Sequence, residues 1–322
     1  MAQALITTPV MDMIRTQVAD AFEAHVLYEA DDPEALIDRV GGEIEAICHG
    51  GHGMTIDEAL MARLPKLRIV SNFGVGYDTV DAKSAARRGI IVTNTPDVLT
   101  EEVADTALGL LLMTVRELGK AEQWLRAGKW TSVGDYRLTP GSLKGRKVGI
   151  VGLGRIGKAI ARRCEAFGLE ISYFGRRKQD QVDYPFYDDV TKLAAAVNTL
   201  IVVTPATPET TNLIDADVLS ALGPDGVLVN IARGAVVNET ALIAALRNNT
   251  ILAAGLDVMW NEPHIDPTLM ELENAVLLPH VGSASVHTRN GMGQLVVDNL
   301  LAYKGRTPPL TPVAETPFKA WP

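Results

Sequence analysis

The sequence is poor in cysteine and has no surplus of positive charge, and both shortages narrow its possible functions. Its 322 residues include only Cys48 and Cys164, which lack the paired spacing of a metal site or a disulfide framework. With 39 acidic and 30 basic residues the formal net charge is -9, so nucleic acids and anionic membrane surfaces would on average repel the chain. We therefore expect no nucleic-acid partner, no membrane partner and no metal. Any bound anion must be held locally.

Long hydrophobic runs are missing as well. Stretches such as ALGLLLMTV fall short of the roughly 20 apolar residues that a membrane span requires. The beginning of the chain, MAQALITTPVMDMIRTQ, lacks the basic start and the long apolar core of a signal peptide. We therefore predict a cytoplasmic protein.

Short apolar segments alternate with helical patterns along the chain. The first series consists of ALITTPV, AHVLYEA, AICHG, LRIVSNF and GIIVTN. The second begins at RKVGIVGLGRIG and continues through EISYFG, NTLIVVT, GVLVNIA, ILAAGLDV and NAVLLPH. This alternation predicts an α/β fold in which helical crossovers join parallel strands. Between the series, residues 101–128 are predicted to form one long buried helix. The proline-rich tail after Lys304 is predicted to lie extended along another surface.

A glycine-rich loop opens the second series. In KVGIVGLGRIGKAIA, Gly152, Gly154 and Gly157 have the G-x-G-x-x-G spacing, directly after a predicted strand and at the start of a predicted helix. In this context the glycines allow a tight turn, and the helix N-terminus can present N–H groups to a pyrophosphate. The loop therefore predicts a dinucleotide-binding domain.

The segment ISYFGRRKQ predicts which dinucleotide is bound. An NAD-binding domain commonly places Asp or Glu at the end of the second strand, whereas here Arg176, Arg177 and Lys178 follow that strand. Guanidinium groups suit the 2'-phosphate of NADP, which a carboxylate would repel. We predict NADP(H) as the cofactor. A solvated basic turn that pairs with Asp180 and Asp183 remains an alternative.

Three candidate catalytic residues end or follow predicted strands. They are Arg233 in VLVNIARGAVV, Glu262 in GLDVMWNEP and His280 in LLPHVGSAS. Because ligands of open parallel sheets bind beyond the carboxyl ends of the strands, these side chains are expected to face a cofactor. Each could instead be a solvated or structural residue. His49 and His52 in CHGGHG lack acidic or cysteine partners at ligand spacing, so we interpret them as part of a loop rather than a metal site.

The order of these motifs resembles the D-2-hydroxyacid dehydrogenase family. The resemblance covers most of the chain, through SNFGVGYDTVD, GIIVTNTPDVLTEEVADTALGLLL, the glycine loop, VTPATPETTNLID, NIARGAVVNETALIAAL, AAGLDVMWNEP and LLPHVGSAS. It implies two Rossmann-like, doubly wound parallel-sheet domains. Residues 1–98 and 287–322 would form a flavodoxin-like substrate-binding domain, residues 99–286 would form the dinucleotide-binding Rossmann domain, and the active site would lie in the cleft.

The resemblance also implies a reaction, the reduction of a 2-keto acid by hydride transfer from NADPH. His280 would donate the proton, since imidazole titrates near neutral pH. Glu262 would bond to the other ring nitrogen and favour the imidazolium. Arg233 would hold the substrate carboxylate and polarise the carbonyl. The backbone N–H groups of Val75 and Gly76 would also bind the carboxylate.

Further cofactor contacts follow from the same resemblance, and Asp257 among them should reach the nicotinamide amide. The implied residues are Thr106, Arg155, Ile156, Thr204, Pro205, Ile231, Asp257, His280 and Gly282. Trp130 lies where related reductases extend an arm to a second subunit, which implies a homodimer. Ordinary packing at a domain edge is the alternative role for this tryptophan.

The sequence predicts the substrate less specifically than it predicts the type of reaction. A short chain with a basic turn is most similar to the glyoxylate/hydroxypyruvate reductases of the family, so we expect glyoxylate and hydroxypyruvate as substrates. Phenylpyruvate-type and other small 2-keto acids remain open. Formate dehydrogenases share the fold but need no acid, so the Glu–His pair argues against that reaction. A non-catalytic, dinucleotide-sensing corepressor is the rival from another class, and the three retained catalytic candidates disfavour it.

Overall fold

The computed structural model describes residues 1–321 and divides the chain into two compact units. Unit 1 comprises Met1–Leu99 and the segment from Ser285 onward, and unit 2 comprises Thr100–Ala284. The sequence placed the divisions after residue 98 and before residue 287, close to these positions. Pro322, the last residue of the predicted substrate-binding domain, lies outside the described residues.

Unit 1 contains a sheet of five parallel strands. They are β1 (Gln3–Ile6), β2 (Glu23–Val26), β3 (Ile44–His49), β4 (Ile69–Asn72) and β5 (Ile91–Thr93). Their order is β2-β1-β3-β4-β5, which is the flavodoxin-like order. Four helices lie between successive strands: α1 (Asp12–Ala21), α2 (Pro33–Val40), α3 (Glu58–Ala62) and α4 (Ala82–Arg87). Every residue of β4 is buried, including the polar Ser71 and Asn72, as expected of a strand covered on both faces.

Unit 2 contains a sheet of seven parallel strands. They are β6 (Lys147–Val151), β7 (Glu170–Phe174), β8 (Phe186–Tyr187), β9 (Thr199–Val202), β10 (Val227–Asn230), β11 (Ala253–Leu256) and β12 (Ala275–Leu277). Their order, β12-β11-β10-β9-β6-β7-β8, reverses direction between β6 and β9. This reversal is the point of a doubly wound sheet where ligands bind. The predicted fold of two doubly wound parallel-sheet domains is confirmed. The sequence missed only the two-residue strand β8.

Seven helices belong to the described residues of unit 2. They are α5 (Thr100–Arg116), α6 (Leu118–Arg126), α7 (Arg155–Ala166), α8 (Val190–Ala196), α9 (Ala216–Leu222), α10 (Glu239–Arg247) and α11 (Pro267–Met270). Helix α5 packs against α7 and against β10 and β11, which explains its apolar residues on more than one side. Side-chain caps begin most helices of the chain, as Asp189 does for α8 and Asn238 for α10.

The prediction of one helix over residues 101–128 is wrong. The helix is interrupted at Glu117, whose φ of 50° lies in the left-handed region, so that α5 and α6 are separate helices. The carboxylate of Glu117 lies 3.5 Å from Lys120 Nζ and 2.6 Å from Arg137 Nη2. These ion pairs hold the strained residue in place and help to offset the cost of its backbone conformation.

The chain returns to unit 1 through α12 (Val286–Lys304), which packs against α1, β3 and β4. The tail then runs antiparallel to β5, where the N–H of Val313 donates to the carbonyl of Val92 at 2.9 Å. The prediction of an extended tail along another surface is therefore confirmed. Among residues 1–321, no helix has both the length and the apolar character that crossing a membrane requires.

Candidate active site

The glycine loop between β6 and α7 has two kinds of glycine. Gly152 has a φ of 104°, and a Cβ at this position would lie 3.0 Å from the backbone of Thr204. A Cβ at Gly157 would overlap the carbonyl oxygen of Gly152. At Gly154, the residue before α7, a Cβ would meet no protein atom within 4 Å, and no side chain caps the helix. The space beside Gly154 and the N–H groups that begin α7 fit a pyrophosphate.

The neighbouring predicted contacts lie at the same edge of the sheet. Arg155 and Ile156 form the first turn of α7. Thr204 and Pro205 follow β9, the strand next to β6 at the reversal of strand order, and Thr204 packs directly on Gly152. The structure therefore gathers these four residues around the glycine loop.

The basic turn follows β7, the other neighbour of β6. Arg176, Arg177 and Lys178 are exposed. Within the part of the chain that the structure describes, none of the three forms an ion pair with Asp180 or Asp183. The structure therefore does not support the alternative in which these acids neutralise the turn. The positive charge stays available to a ligand.

Gln179 fixes the basic turn to the glycine loop, a role that the sequence did not reveal. Its backbone N–H donates to the hydroxyl of Tyr173 at 2.7 Å, and its Nε2 donates to the carbonyl of Leu153 at 2.7 Å. Leu153 is the second residue of the glycine loop. Because Gln179 is an ordinary polar residue without a spacing motif, no sequence signal could have identified it.

Arg233 is positioned by a buried asparagine at the end of β10. Asn230 is 1% exposed, its Oδ1 accepts from the N–H of Ala232 at 3.1 Å, and its Nδ2 donates to the carbonyl of Arg233 at 3.0 Å. Ile231, a predicted cofactor contact, is buried in the same turn. The sequence missed Asn230, although a polar residue that ends an apolar strand could have drawn attention to it.

Gly234 brings the segment after β11 close to Arg233. A Cβ at Gly234 would overlap the carbonyl group of Met259 and would also lie against the N–H of Trp260. Glycine is therefore the only residue that allows these two backbones to approach. The indole N–H of Trp260 donates to the carbonyl of Val237 at 2.6 Å and secures the contact. Glu262 follows two residues later.

Glu262 and His280 form a hydrogen-bonded pair. His280 Nδ1 lies 2.7 Å from Oε2 of Glu262, and since a carboxylate only accepts, Nδ1 carries the proton. The other oxygen, Oε1, accepts from the N–H of Met259 at 2.9 Å. Burial alone would raise the pKa of Glu262, but the bonds from His280 and Met259 and the charge of nearby Arg233 outweigh it. The pKa of Glu262 therefore lies below its usual value, and the carboxylate is charged at neutral pH.

Asp257 anchors the loop that carries His280. The side chain is 1% exposed, and its two oxygens accept from the N–H groups of Val281 at 2.7 Å and Gly282 at 2.8 Å. Its carbonyl accepts from the N–H of His280, which has a left-handed φ of 53°. Burial raises the pKa of Asp257 in spite of these bonds. The predicted contact of Asp257 with a nicotinamide amide stays a prediction.

Thr106 joins the same network from α5. Its hydroxyl lies 3.2 Å from the carbonyl of Gly282 and donates there or to the carbonyl of Glu102 at 3.1 Å. A Cβ at Gly282 would lie 2.9 Å from Oδ2 of Asp257, so glycine allows the close approach. Three residues predicted separately as cofactor contacts, Thr106, Asp257 and Gly282, therefore form one connected support for the His280 loop.

Two of the three predicted substrate-binding residues lie in unit 1, whereas Arg233 belongs to unit 2. Val75 and Gly76 belong to the loop after β4 and are half-buried. Within residues 1–321 their backbone N–H groups donate no hydrogen bond. They therefore remain available to an anion, and their role in substrate binding stays a prediction.

The structure agrees only in part with the interpretation of the CHGGHG histidines as loop residues. His49 is the last residue of β3, not a loop residue, and it is fully buried between the hydroxyls of Thr7 and Thr79 at 2.8 and 3.0 Å. Burial lowers the pKa of His49 to about 4, so the ring is neutral and structural. No group of three or more His, Cys, Asp or Glu side chains in the described chain is arranged to hold a metal.

Comparison with known protein families gives one match over more than half of the chain. Residues 108–282 match the family described as "D-isomer specific 2-hydroxyacid dehydrogenase, NAD binding domain". The matched range contains the glycine loop, the basic turn, Arg233 and the Glu262–His280 pair.

Two curated proteins and one solved structure are similar over most of their lengths. Hydroxyphenylpyruvate reductase of Plectranthus scutellarioides is 48% identical over 82% of this chain and 84% of that protein. Glyoxylate/hydroxypyruvate reductase A of Arabidopsis thaliana is 42% identical over 96% of this chain and 98% of that protein. The crystal structure of NADPH-dependent glyoxylate/hydroxypyruvate reductase from Sinorhizobium meliloti, in complex with NADP and malonate, has a TM-score of 0.94 and 50% identity, with 99% of each chain covered.

Proposed function

Because the chain belongs to the D-isomer specific 2-hydroxyacid dehydrogenase family, we propose that it uses NADPH to reduce glyoxylate and hydroxypyruvate to 2-hydroxy acids. The observation that carries this proposal is the Glu262–His280 pair at 2.7 Å, close to the charge of Arg233 and in the same unit as the glycine loop. The relatives from Arabidopsis thaliana and Sinorhizobium meliloti, which bear these activities in their names, support the choice of substrates.

The choice of NADPH rests on the two loops that flank β6. The space beside Gly154 accommodates the pyrophosphate, and the exposed cations Arg176, Arg177 and Lys178 receive the 2'-phosphate. A carboxylate, which would select NADH, is absent from the end of β7. NADPH, when bound, supplies hydride to the carbonyl carbon of the keto acid.

Side chains and backbone groups of the protein stabilise or neutralise the negative charge that hydride transfer creates on the substrate. Arg233 binds the substrate carboxylate and polarises the carbonyl before the reaction. His280 holds Nδ1–H against Glu262, so the proton for the developing alkoxide comes from Nε2. The charged carboxylate of Glu262 keeps the ring oriented and stabilises the imidazolium. In unit 1, the N–H groups of Val75 and Gly76 bind the substrate carboxylate.

A substrate panel followed at the nicotinamide absorbance tests the proposal. Glyoxylate and hydroxypyruvate should give the highest kcat/KM, with NADPH preferred over NADH. The panel should include 4-hydroxyphenylpyruvate, because the similarity to hydroxyphenylpyruvate reductase favours an aromatic keto acid as the second candidate. Tight NADPH binding without turnover of any 2-keto acid would instead indicate the dinucleotide-sensing alternative.

We also propose a homodimer formed through α6 and the segment after it. Leu125, Trp130, Val133 and Leu138 are exposed there, Val133 and Leu138 by more than 90%. Apolar groups presented in this number by one segment are typical of a protein interface. Light scattering should give twice the mass of the chain, and the double variant Trp130→Ser, Leu138→Ser should give the mass of one. The cytoplasmic location stays a prediction.

A further inference from the structure

The loop Gly74–Gly76 has all three of its carbonyl groups bound from within unit 1. The carbonyl of Gly74 accepts from the N–H of Thr95 at 2.9 Å and from Nδ2 of Asn72 at 3.4 Å. Nδ2 of Asn72 also donates to the carbonyl of Gly76 at 3.0 Å. The carbonyl of Val75 accepts from Nδ2 of Asn94 at 2.8 Å. Two side-chain amides, from the ends of β4 and β5, therefore hold the oxygen side of the loop.

Binding the carbonyls fixes the direction of the N–H groups. In a planar trans peptide the C=O and the following N–H point in opposite directions. The bonds to the carbonyl of Gly74 therefore turn the N–H of Val75 away from Asn72. In the same way, the bond from Asn94 to the carbonyl of Val75 turns the N–H of Gly76 away from Asn94. Successive N–H groups that point to one side form an anion-binding concavity.

Asn72 is a polar residue in the core whose side-chain amide serves as a hydrogen-bond donor to the loop. The residue is fully buried, and its Nδ2 serves two carbonyls while its Oδ1 has no hydrogen-bond partner. The orientation of the amide is settled by these carbonyls, which accept only from the nitrogen. A buried acceptor without a partner costs free energy. The two donated bonds are the contribution of this side chain to the loop.

Asn94 is held in turn by the tail of the chain. Its carbonyl accepts from the hydroxyl of Thr311 at 2.6 Å, and its N–H donates to the carbonyl of Thr311 at 3.3 Å. Both backbone groups of Asn94, the N–H and the carbonyl, are therefore bound to Thr311, and its side-chain amide reaches Val75 from this fixed position. This continuity connects the C-terminal tail to the orientation of the loop.

We propose that Asn72 and Asn94 are positioning residues of the substrate-carboxylate site, because they orient the N–H groups of Val75 and Gly76. The inference rests on the proposed function, in which these N–H groups bind the carboxylate of a 2-keto acid. Neither asparagine touches the substrate. Their effect is on the affinity for the carboxylate and leaves cofactor binding and proton transfer to unit 2.

Neutral variants of similar size, Asn72→Leu and Asn94→Leu, test the inference without adding a charge. The KM for glyoxylate and the inhibition constant of malonate should both rise about 10- to 100-fold, the loss expected for weakened charge-assisted hydrogen bonds. The kcat at saturating glyoxylate and the Kd for NADPH should change less than about threefold. Asn94→Gln, which keeps an amide donor, should recover part of the malonate affinity.

Ser84→Ala is the control. Ser84 is also a fully buried polar residue of unit 1, but its side chain bonds to Glu58, Asp81 and Arg87 and not to the loop, to Asn94 or to the tail. The variant should lower the melting temperature and leave the KM unchanged. If Asn72→Leu does not fold, Asn94→Leu, which alters a half-buried residue, decides alone.

Two outcomes separate the inference from the function on which it rests. A wild-type protein that reduces 2-keto acids, together with a folded Asn94→Leu variant of unchanged KM and malonate affinity, would overturn the inference alone. A wild-type protein that neither reduces a 2-keto acid nor binds malonate in calorimetry would overturn the proposed function, and the inference with it.

Discussion

The glycine loop of unit 2 and the loop Gly74–Gly76 of unit 1 both present N–H groups at the carboxyl ends of parallel strands, but they are built differently. In unit 2 the donors belong to the start of α7, and the glycines supply the space around them. In unit 1 the next helix, α4, begins only at Ala82, and the amides of Asn72 and Asn94 hold the loop instead.

The two proposed anion sites therefore differ in construction, one depending on backbone geometry and the other on side chains. The site in unit 2 follows from the spacing of three glycines within one short segment, so a sequence pattern predicts it. The proposed site in unit 1 needs Asn72 and Asn94, which come from the ends of two different strands. These two residues are 22 positions apart in the sequence, so no short pattern contains both. In the proposed function the two loops have different ligands, which are the cofactor pyrophosphate for the loop in unit 2 and the substrate carboxylate for the loop in unit 1.

Replacing His280 should have the largest effect and tests the proposed role of unit 2 most severely. In His280→Ala the kcat for glyoxylate should fall by about 10²- to 10⁴-fold, because the developing alkoxide loses its proton donor. The Kd for NADPH, measured by fluorescence, should rise far less than kcat falls, because His280 is only one of many predicted cofactor contacts. His25→Ala, which changes a histidine on β2 of unit 1, serves as the control. A fully active His280→Ala protein would remove this residue from the mechanism.

The basic turn should account for the next largest effect. In the double variant Arg176→Ser, Arg177→Ser, the KM for NADPH should rise about 10- to 100-fold, because two charge-assisted phosphate contacts are lost. The KM for NADH, which has no 2'-phosphate, should change little. Lys192→Ser removes an exposed cation from α8 and controls for the general loss of charge. Equal losses with both cofactors would show that the turn does not select NADPH.

Two alanine variants separate the two kinds of glycine in the loop. Gly157→Ala should destabilise unit 2 by about 1–3 kcal/mol, because the new Cβ overlaps the carbonyl of Gly152. Gly154→Ala should leave the melting temperature nearly unchanged, because its Cβ meets no protein atom, and should instead weaken NADPH binding. Similar melting temperatures for the two variants would contradict this distinction.

The smallest effect concerns the acid stability of unit 2. Because the folded-state pKa of Glu262 lies below its usual value of 4.5, the carboxylate stabilises the fold above that pH. This contribution is lost as the pH falls through the folded-state pKa. Glu262→Gln should therefore be less stable than wild type at neutral pH, and the difference should shrink in denaturant titrations as the pH falls below 4.5. A difference that is independent of pH would show that the charge of Glu262 contributes nothing.

Alternating patterns predicted most of the fold because buried parallel strands are continuous apolar runs with helices between them. The exceptions have local physical causes. Strand β8 has two residues, Phe186 and Tyr187, too few to carry a pattern. The break at Glu117 coincides with ion pairs, including one with Arg137, twenty positions further along the chain. A periodic pattern cannot contain that information.

The candidate site was predictable where a residue type suits a reaction and follows a strand, as with Arg233, Glu262 and His280. The residues that support them were not. Asn230 and Gly234 act through buried bonds and close backbone approach, which depend on the three-dimensional arrangement. The roles of the three catalytic candidates stay predictions until the variants are measured.

Gly234 also has a consequence for the evolution of this chain. A hydrogen atom is the largest side chain that fits between its Cα and the carbonyl of Met259. No substitution at this position is therefore expected to be neutral, because any larger side chain would push away the segment that leads to Glu262. A library that diversifies the surroundings of Arg233 to change substrate preference should keep codon 234 constant, because variants there would fail for reasons unrelated to selectivity.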